Sequence, residues 1–145
     1  MLNAVTTAEQ ISRVISQATA PAFLLGAVAA FISVLITRMN RIADRSNALS
    51  VAFPEGDISR SHFHVVLPRL KRRARLLNKA IEFAVISGIC TTALVILAFA
   101  SSLLNLKHEY GAAIMFSIAL LFFAASLVTL LLEVRAALHD LDFYV

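Results

Sequence analysis

Ten of the chain's thirteen Lys and Arg residues lie between Arg38 and Lys79, and only Asp44, Glu55 and Asp57 oppose them there, so that segment carries a net charge of +7. Cationic side chains at this density bind anions. The sequence pI near 9.8 raises nucleic acid as one such anion, but the chain contains no recognition fold and no aromatic stacking platform, so nucleic acid is not an expected partner. Anionic lipid fits better, because each basic residue near an anionic membrane surface is worth about 1 kcal/mol. The expected lipid-binding set is Arg69, Lys71, Arg72, Arg73, Arg75 and Lys79. A second constellation mixes signs: Arg38, Arg41, Asp44, Glu82 and Glu133 can form a polar cluster of ion pairs.

Other chemistry is sparse. His62 and His64 alternate, and alternate histidines on an extended segment can hold Zn²⁺. No Cys, Glu or Asp stands at ligand spacing beside them, so no metal is expected, and the segment reads instead as a loop whose apolar residues dip into an interface. Cys90 is the sole cysteine and reads as a small apolar packing residue, which excludes a disulfide framework. Nucleophile motifs, Gly-rich phosphate loops and paired catalytic carboxylates are missing, so neither an enzyme nor a cofactor is expected.

The elements that carry these residues follow from where charge is absent. Of the 145 residues, 59% are apolar and 15% charged, against about a quarter charged in a typical soluble domain. Mean hydropathy is +0.82. Val14 to Thr37, Phe83 to Leu106 and Tyr110 to Leu132 contain no Asp, Glu, Lys or Arg. Each run exceeds the ~20 residues that a helix needs to cross a bilayer core. Lipid offers backbone N–H and C=O groups no partners, so such runs must be helical, and they lack the alternation of a barrel strand. The predicted fold is therefore all-α: an integral membrane protein with three transmembrane helices, forming one membrane domain over 1–145. Its spans are expected near 21–38, 82–105 and 111–133, with a cytoplasmic helical hairpin over about 38–80.

Charge also sets the expected orientation. Loops rich in Lys and Arg stay in the cytoplasm, which puts the central segment inside, the amino terminus outside and the carboxyl terminus inside. The tail before the first run lacks the positive charge of a signal peptide. The overlapping patterns Thr6-x-x-Glu9 and Thr7-x-x-Gln10 predict a helix start near Thr7, with Ile11, Val14, Ile15 and Ala18 on one stripe. They imply a short amphipathic helix on the outer surface, with a bend near Ala20-Pro21 or else a kinked helix running straight through. Ala22, Gly26 and Ala30 are small residues at steps of four, as are Gly88 and Thr92, Ala113 and Ser117, and Ala125 and Thr129, which suits close helix packing.

Past the first span, Leu35, Met39, Ile42 and Leu49 share one stripe, and Arg38, Arg41 and Arg45 another. Leu70, Ala74, Leu77 and Ile81 form a heptad-like seam. Pairing of these seams builds the hairpin, with a turn at Pro54-Glu55-Gly56-Asp57. Antiparallel pairing then predicts Glu82 facing Arg38, Asp44 facing Arg73 or Arg75, and Asn78 near Arg41. Glu133 ends the third span at the same level and can join Arg38 or Lys79.

Four stretches carry a family resemblance: Ile15-Ser-Gln-Ala-Thr-Ala-Pro-Ala-Phe-Leu-Leu25, Arg38-Met-Asn-Arg-Ile-Ala-Asp-Arg45, Arg72-Arg-Ala-Arg-Leu-Leu-Asn-Lys-Ala-Ile81 and Leu132-Glu-Val-Arg135. Together they resemble a group of small bacterial membrane proteins known as a domain of unknown function, with 51–66 outside the likeness. The resemblance implies three spans in a bacterial inner membrane and no defined activity.

Two functional readings follow. In the first, the chain is a non-catalytic membrane component whose basic hairpin engages anionic lipid or a protein partner. In the second, several copies form a pore lined by Ser87, Thr91 and Ser101, with Arg38, Arg41 or Lys79 as a charge ring at its mouth. The absence of ionisable residues inside the three runs disfavours a pump or proton-coupled carrier.

Overall fold

The computed structural model describes residues 2–52, 60–104 and 109–141. All are helical: α1 is Leu2–Ala52, α2 is Arg60–Leu104 and α3 is Glu109–Leu141. The expected turn at 54–57 lies outside the described residues. Among the described residues, three stretches are long and apolar enough to cross a membrane: Ala18–Ala48, Val66–Ser101 and Tyr110–Leu138. Only about a fifth of each stretch's most apolar window is buried within the chain. The outward positions carry large apolar side chains, among them Phe23 at 79% exposure, Leu121 at 69% and Ile89 at 63%. A water-soluble monomer rarely shows apolar surface on this scale; a multi-pass membrane protein presents it to acyl chains.

Of the two amino-terminal expectations, the helix that runs on through Pro21 is the one found. Helix α1 begins at Leu2 and runs unbroken through Thr7 and Pro21 to Ala52, so neither a helix start at Thr7 nor a separate surface helix is present. Proline removes one backbone donor from a helix interior, and membrane helices tolerate it where neighbouring groups and small local adjustments re-satisfy the freed backbone carbonyl. The side chains of 1–11 lie outside the described residues. The central segment is corrected too. Helix α2 starts at Arg60 and carries Pro68 inside it, so His62 to Leu67 is helical backbone rather than loop, and the extended geometry that two alternate histidine ligands would need is absent. The histidine side chains lie outside the described residues.

The chain divides into two compact units, Met1–Phe31 with Ala84–Ala124 and Ile32–Phe83 with Ala125–Val145. In the first, Leu24, Val28, Ala84, Leu94 and Ala119 form the buried apolar core, together with Ser87 and Thr91. Phe31 and Phe123 meet edge to face, with ring centroids 5.5 Å apart and planes at 82°. An added Cβ at Gly88 would stand 3.6 Å from Val28 Cγ1, so Gly88 sits in ordinary contact with α1. In the second unit the core is Leu35, Ile42, Leu70, Leu77 and Ala80, with Ser126, Thr129 and Glu133.

The buried positions repeat every three and four residues. On α1 they are Leu24 and Val28 in the first unit, Leu35 and Ile42 in the second, with half-buried Phe31 and Arg38 completing the series. On α2 they are Leu70, Leu77 and Ala80, then Ala84, Ser87, Thr91 and Leu94, with half-buried Arg73 in step. This is the spacing of helices packed nearly parallel or antiparallel. It shifts the seams expected from sequence. Leu70 and Leu77 are buried, but Ala74 and Ile81 are only half-buried, and Arg38 lies on the inward series of α1 instead of an outward basic stripe.

Several of the small residues expected to pack do not. Ala22, Gly26 and Ala30 are exposed, as are Ala113 and Ser117, and a Cβ on Gly26 would meet nothing within 4 Å. The hydroxyls of Thr19, Thr37, Thr92 and Ser117 instead bond back to carbonyls four residues earlier, which satisfies them within the helix.

Candidate functional site

Among the described residues the buried polar side chains are Ser87 and Thr91 on α2 and Ser126, Thr129 and Glu133 on α3. Ala119, Ser126 and Glu133 are seven residues apart, each fully buried. Each meets an α2 residue of the matching series. In the first unit Ser87 donates to the Ala119 carbonyl at 2.7 Å, while the Ser87 carbonyl accepts from Thr91 at 2.8 Å. In the second unit Ser126 donates to the Ala80 carbonyl, and Arg73 donates to Glu133. The small side chains at Ala80, Ser87, Ala119 and Ser126 let a hydroxyl on one helix reach a backbone oxygen on the next.

Glu133 is the chemical centre of the second unit. Its side chain is 1% exposed. Arg73 Nη2 and Nε donate to Oε1 at 2.8 and 3.0 Å, and Arg38 Nη1 donates to Oε2 at 3.1 Å. One carboxylate thus joins side chains from all three helices. A carboxylate removed from water is costly unless paired and hydrogen-bonded, and here both oxygens accept charge-assisted bonds. Two guanidinium groups around one carboxylate leave the cluster at +1. Arg38 is the more open of the two, with 41% of its side chain exposed against 22% for Arg73. Among the described residues no buried side-chain N or O lacks a partner.

The expected boundary cluster is therefore rearranged. Arg38 and Glu133 come together, but Glu82, expected to face Arg38, is exposed. Helix geometry gives the reason: Glu82 stands two residues from both Ala80 and Ala84, roughly 200° around from the buried series, so it points away from the helices that hold Arg38. Arg73, expected near Asp44, is taken by Glu133; Arg41, Asp44, Arg75 and Asn78 are exposed. Arg73 is the residue that sequence reasoning placed wrongly. The available signal was its step of four from Leu77 and seven from Ala80, which puts it on the inward series with them. Of the remaining basic residues, Lys71, Arg72, Arg75 and Lys79 are exposed and Arg69 is half-buried. At about 100° per residue the four exposed ones fall within an arc of about 100°, on the side of α2 opposite the buried series.

Residues named as pore-lining candidates are turned inward. Ser87 and Thr91 are fully buried, and half-buried Ser101 donates to the Ala98 carbonyl. Cys90 is free and half-buried.

The family model described as protein of unknown function, DUF2721, matches residues 18–143. The chain belongs to the DUF2721 family. The match runs through 51–66, the segment that the motif resemblance left out, and it takes in α1 from residue 18 onward, α2, α3 and the Arg38, Arg73 and Glu133 positions of this DUF2721 chain. No curated protein and no solved structure matches it.

Proposed function

We propose that this DUF2721 protein is a non-catalytic, multi-pass component of a bacterial inner membrane, with its amino terminus outside and its carboxyl terminus in the cytoplasm, whose basic central segment holds anionic lipid at the cytoplasmic surface. The carrying observation is the outward stripe of Lys71, Arg72, Arg75 and Lys79, exposed on α2 just before the uncharged run that begins at Phe83. Positive charge so close to a span meets headgroups, and several weak contacts add up. Arg73 leaves the expected lipid-binding set, because Glu133 occupies it. Helical backbone on both sides of 53–59 supports a hairpin of two arms, and a protein partner of acidic surface would use the same stripe. The pore reading loses its support, since its hydroxyl candidates Ser87 and Thr91 are spent inside one chain.

Native mass spectrometry of the purified protein in mixed phosphatidylglycerol and phosphatidylcholine tests the lipid assignment. Replacing Lys71, Arg72, Arg75 and Lys79 together by Gln should lower the excess of bound phosphatidylglycerol, and raised salt should weaken that excess in the unaltered chain. Equal retention of both lipids by the unaltered protein would overturn the reading. Orientation is tested separately with Ser59→Cys on a Cys90→Ala background; labelling by an impermeant reagent in intact cells would place 53–59 outside and reverse it.

A further inference from the structure

We propose that the Arg38–Glu133–Arg73 cluster binds one phosphate group per chain, that of a phosphodiester lipid headgroup, through the guanidinium of Arg38. The proposal rests on the membrane reading above and deepens its lipid assignment, but with a discrete site built from different residues.

Charge comes first. The two guanidinium groups and one carboxylate sum to +1, and a phosphodiester brings the cluster to neutrality. Placement is independent of charge. Arg38 is the first charged residue after the run that ends at Thr37, and Glu133 the first after the run that ends at Leu132. Their 3.1 Å bond brings these two first charges together, at the level where apolar surface gives way and headgroups begin. Geometry then selects Arg38. Glu133 is enclosed and engages Arg38 through Nη1 alone, which leaves Nε and Nη2 outside that bond on a side chain 41% exposed. Arg73 presents both Nε and Nη2 to the carboxylate and is the more enclosed.

A guanidinium offers five N–H donors in a planar fork suited to phosphate oxygens. Exposed Arg41, one turn along α1, stands at the spacing of a neighbour that can donate a further bond to the same phosphate. Glu133 tempers the charge of the site and competes with the phosphate for the guanidinium of Arg38.

The test uses the full chain in detergent, with phosphatidylglycerol, diacylglycerol (which lacks the phosphate) and inorganic phosphate as separate probes, read by native mass spectrometry. The unaltered protein should hold one phosphatidylglycerol tightly, hold no diacylglycerol, and lose little lipid to millimolar inorganic phosphate. Arg38→Gln should lower retention about tenfold, the order expected for a lost hydrogen bond between charged groups. Glu133→Gln should raise retention, because the cluster goes from +1 to +2 and Arg38 is released toward the phosphate; a merely structural role for Glu133 predicts a fall. The combined Gln variant of Lys71, Arg72, Arg75 and Lys79 should keep its one tight lipid.

Unchanged retention in folded Arg38→Gln overturns the site. If the combined variant alone loses lipid, the outward stripe carries the lipid reading without this site. Should Arg38→Gln fail to fold, a fall in retention in folded Glu133→Gln overturns the proposal as well. Binding of inorganic phosphate with no lipid held would overturn the lipid assignment.

Discussion

In the first unit α2 meets α3 through the hydroxyl of Ser87 and the carbonyl of Ala119. In the second unit the same two helices meet through Arg73 and Glu133, with a hydroxyl contact from Ser126 to Ala80 one heptad away. Position is equivalent in both, since every pair falls on the same series of seven. The chemistry differs because the surroundings differ. Ser87 and Ala119 lie within uncharged runs, where a neutral hydroxyl satisfied by a carbonyl adds specificity at little desolvation cost. Arg73 and Glu133 lie at or beyond the ends of such runs, where a charge can be held if a partner is fixed beside it. The comparison shows one packing rule, small or paired polar groups every seven residues, applied in two dielectric settings.

Its sharpest break should come from Glu133. Glu133→Ala leaves Arg38 and Arg73 facing each other without a counter-charge, and Arg73→Ala leaves a fully enclosed carboxylate with one partner. Removing one member of a buried ionic group costs about 3–5 kcal/mol, moderated here by the partial exposure of Arg38. Both variants should lower the melting temperature of the detergent-solubilised protein more than any single change in the first unit; a shift no greater than that of Glu82→Ala, which removes an exposed carboxylate, would sink the triad as a structural element.

A smaller effect is expected at the neutral contact. Ser87→Ala removes one hydrogen bond between helices, and such bonds inside membrane proteins average about 0.6 kcal/mol. The Ala119 carbonyl keeps its own helical partner. Resistance of the folded state to SDS should fall only slightly, and a loss as large as that of Glu133→Ala would contradict the division into two settings.

The smallest effect sharpens the register. Glu82 is exposed and faces away from Arg38, so a double-mutant cycle of Arg38→Ala and Glu82→Ala should give a coupling near zero, whereas Arg38→Ala and Glu133→Ala should be strongly non-additive. Coupling of similar size in both cycles would move Arg38 out of the site described.

The three spans were determined by the sequence alone. The runs bounded by Arg13 and Arg38, by Glu82 and Lys107, and by Glu109 and Glu133 declare themselves because a bilayer imposes its demand locally: about twenty residues without charge, each satisfying its own backbone. The same local fact put Glu133 at the level of Arg38, as a group able to join Arg38 or Lys79, since Arg38 and Glu133 both mark the ends of runs. Which side of each helix faces inward was decided only by the tertiary structure. In water an inward face betrays itself by being more apolar than the outward one; in lipid, Phe23 and Leu121 outside are more apolar than Ser87, Ala119 and Ser126 inside, so periodicity finds Leu35, Ile42, Leu70 and Leu77 but not the turn of α2 that brings Arg73 and Ala80 inward in place of Ala74 and Ile81. The choice of Glu133 over Glu82 as the partner of Arg38 lay beyond sequence for the same reason. Both carboxylates stand at the edge of an uncharged run, and only the rotation of α2 about its axis, fixed by how Leu77, Ala80 and Ala84 pack, turns one outward and leaves Arg73 to help enclose the other.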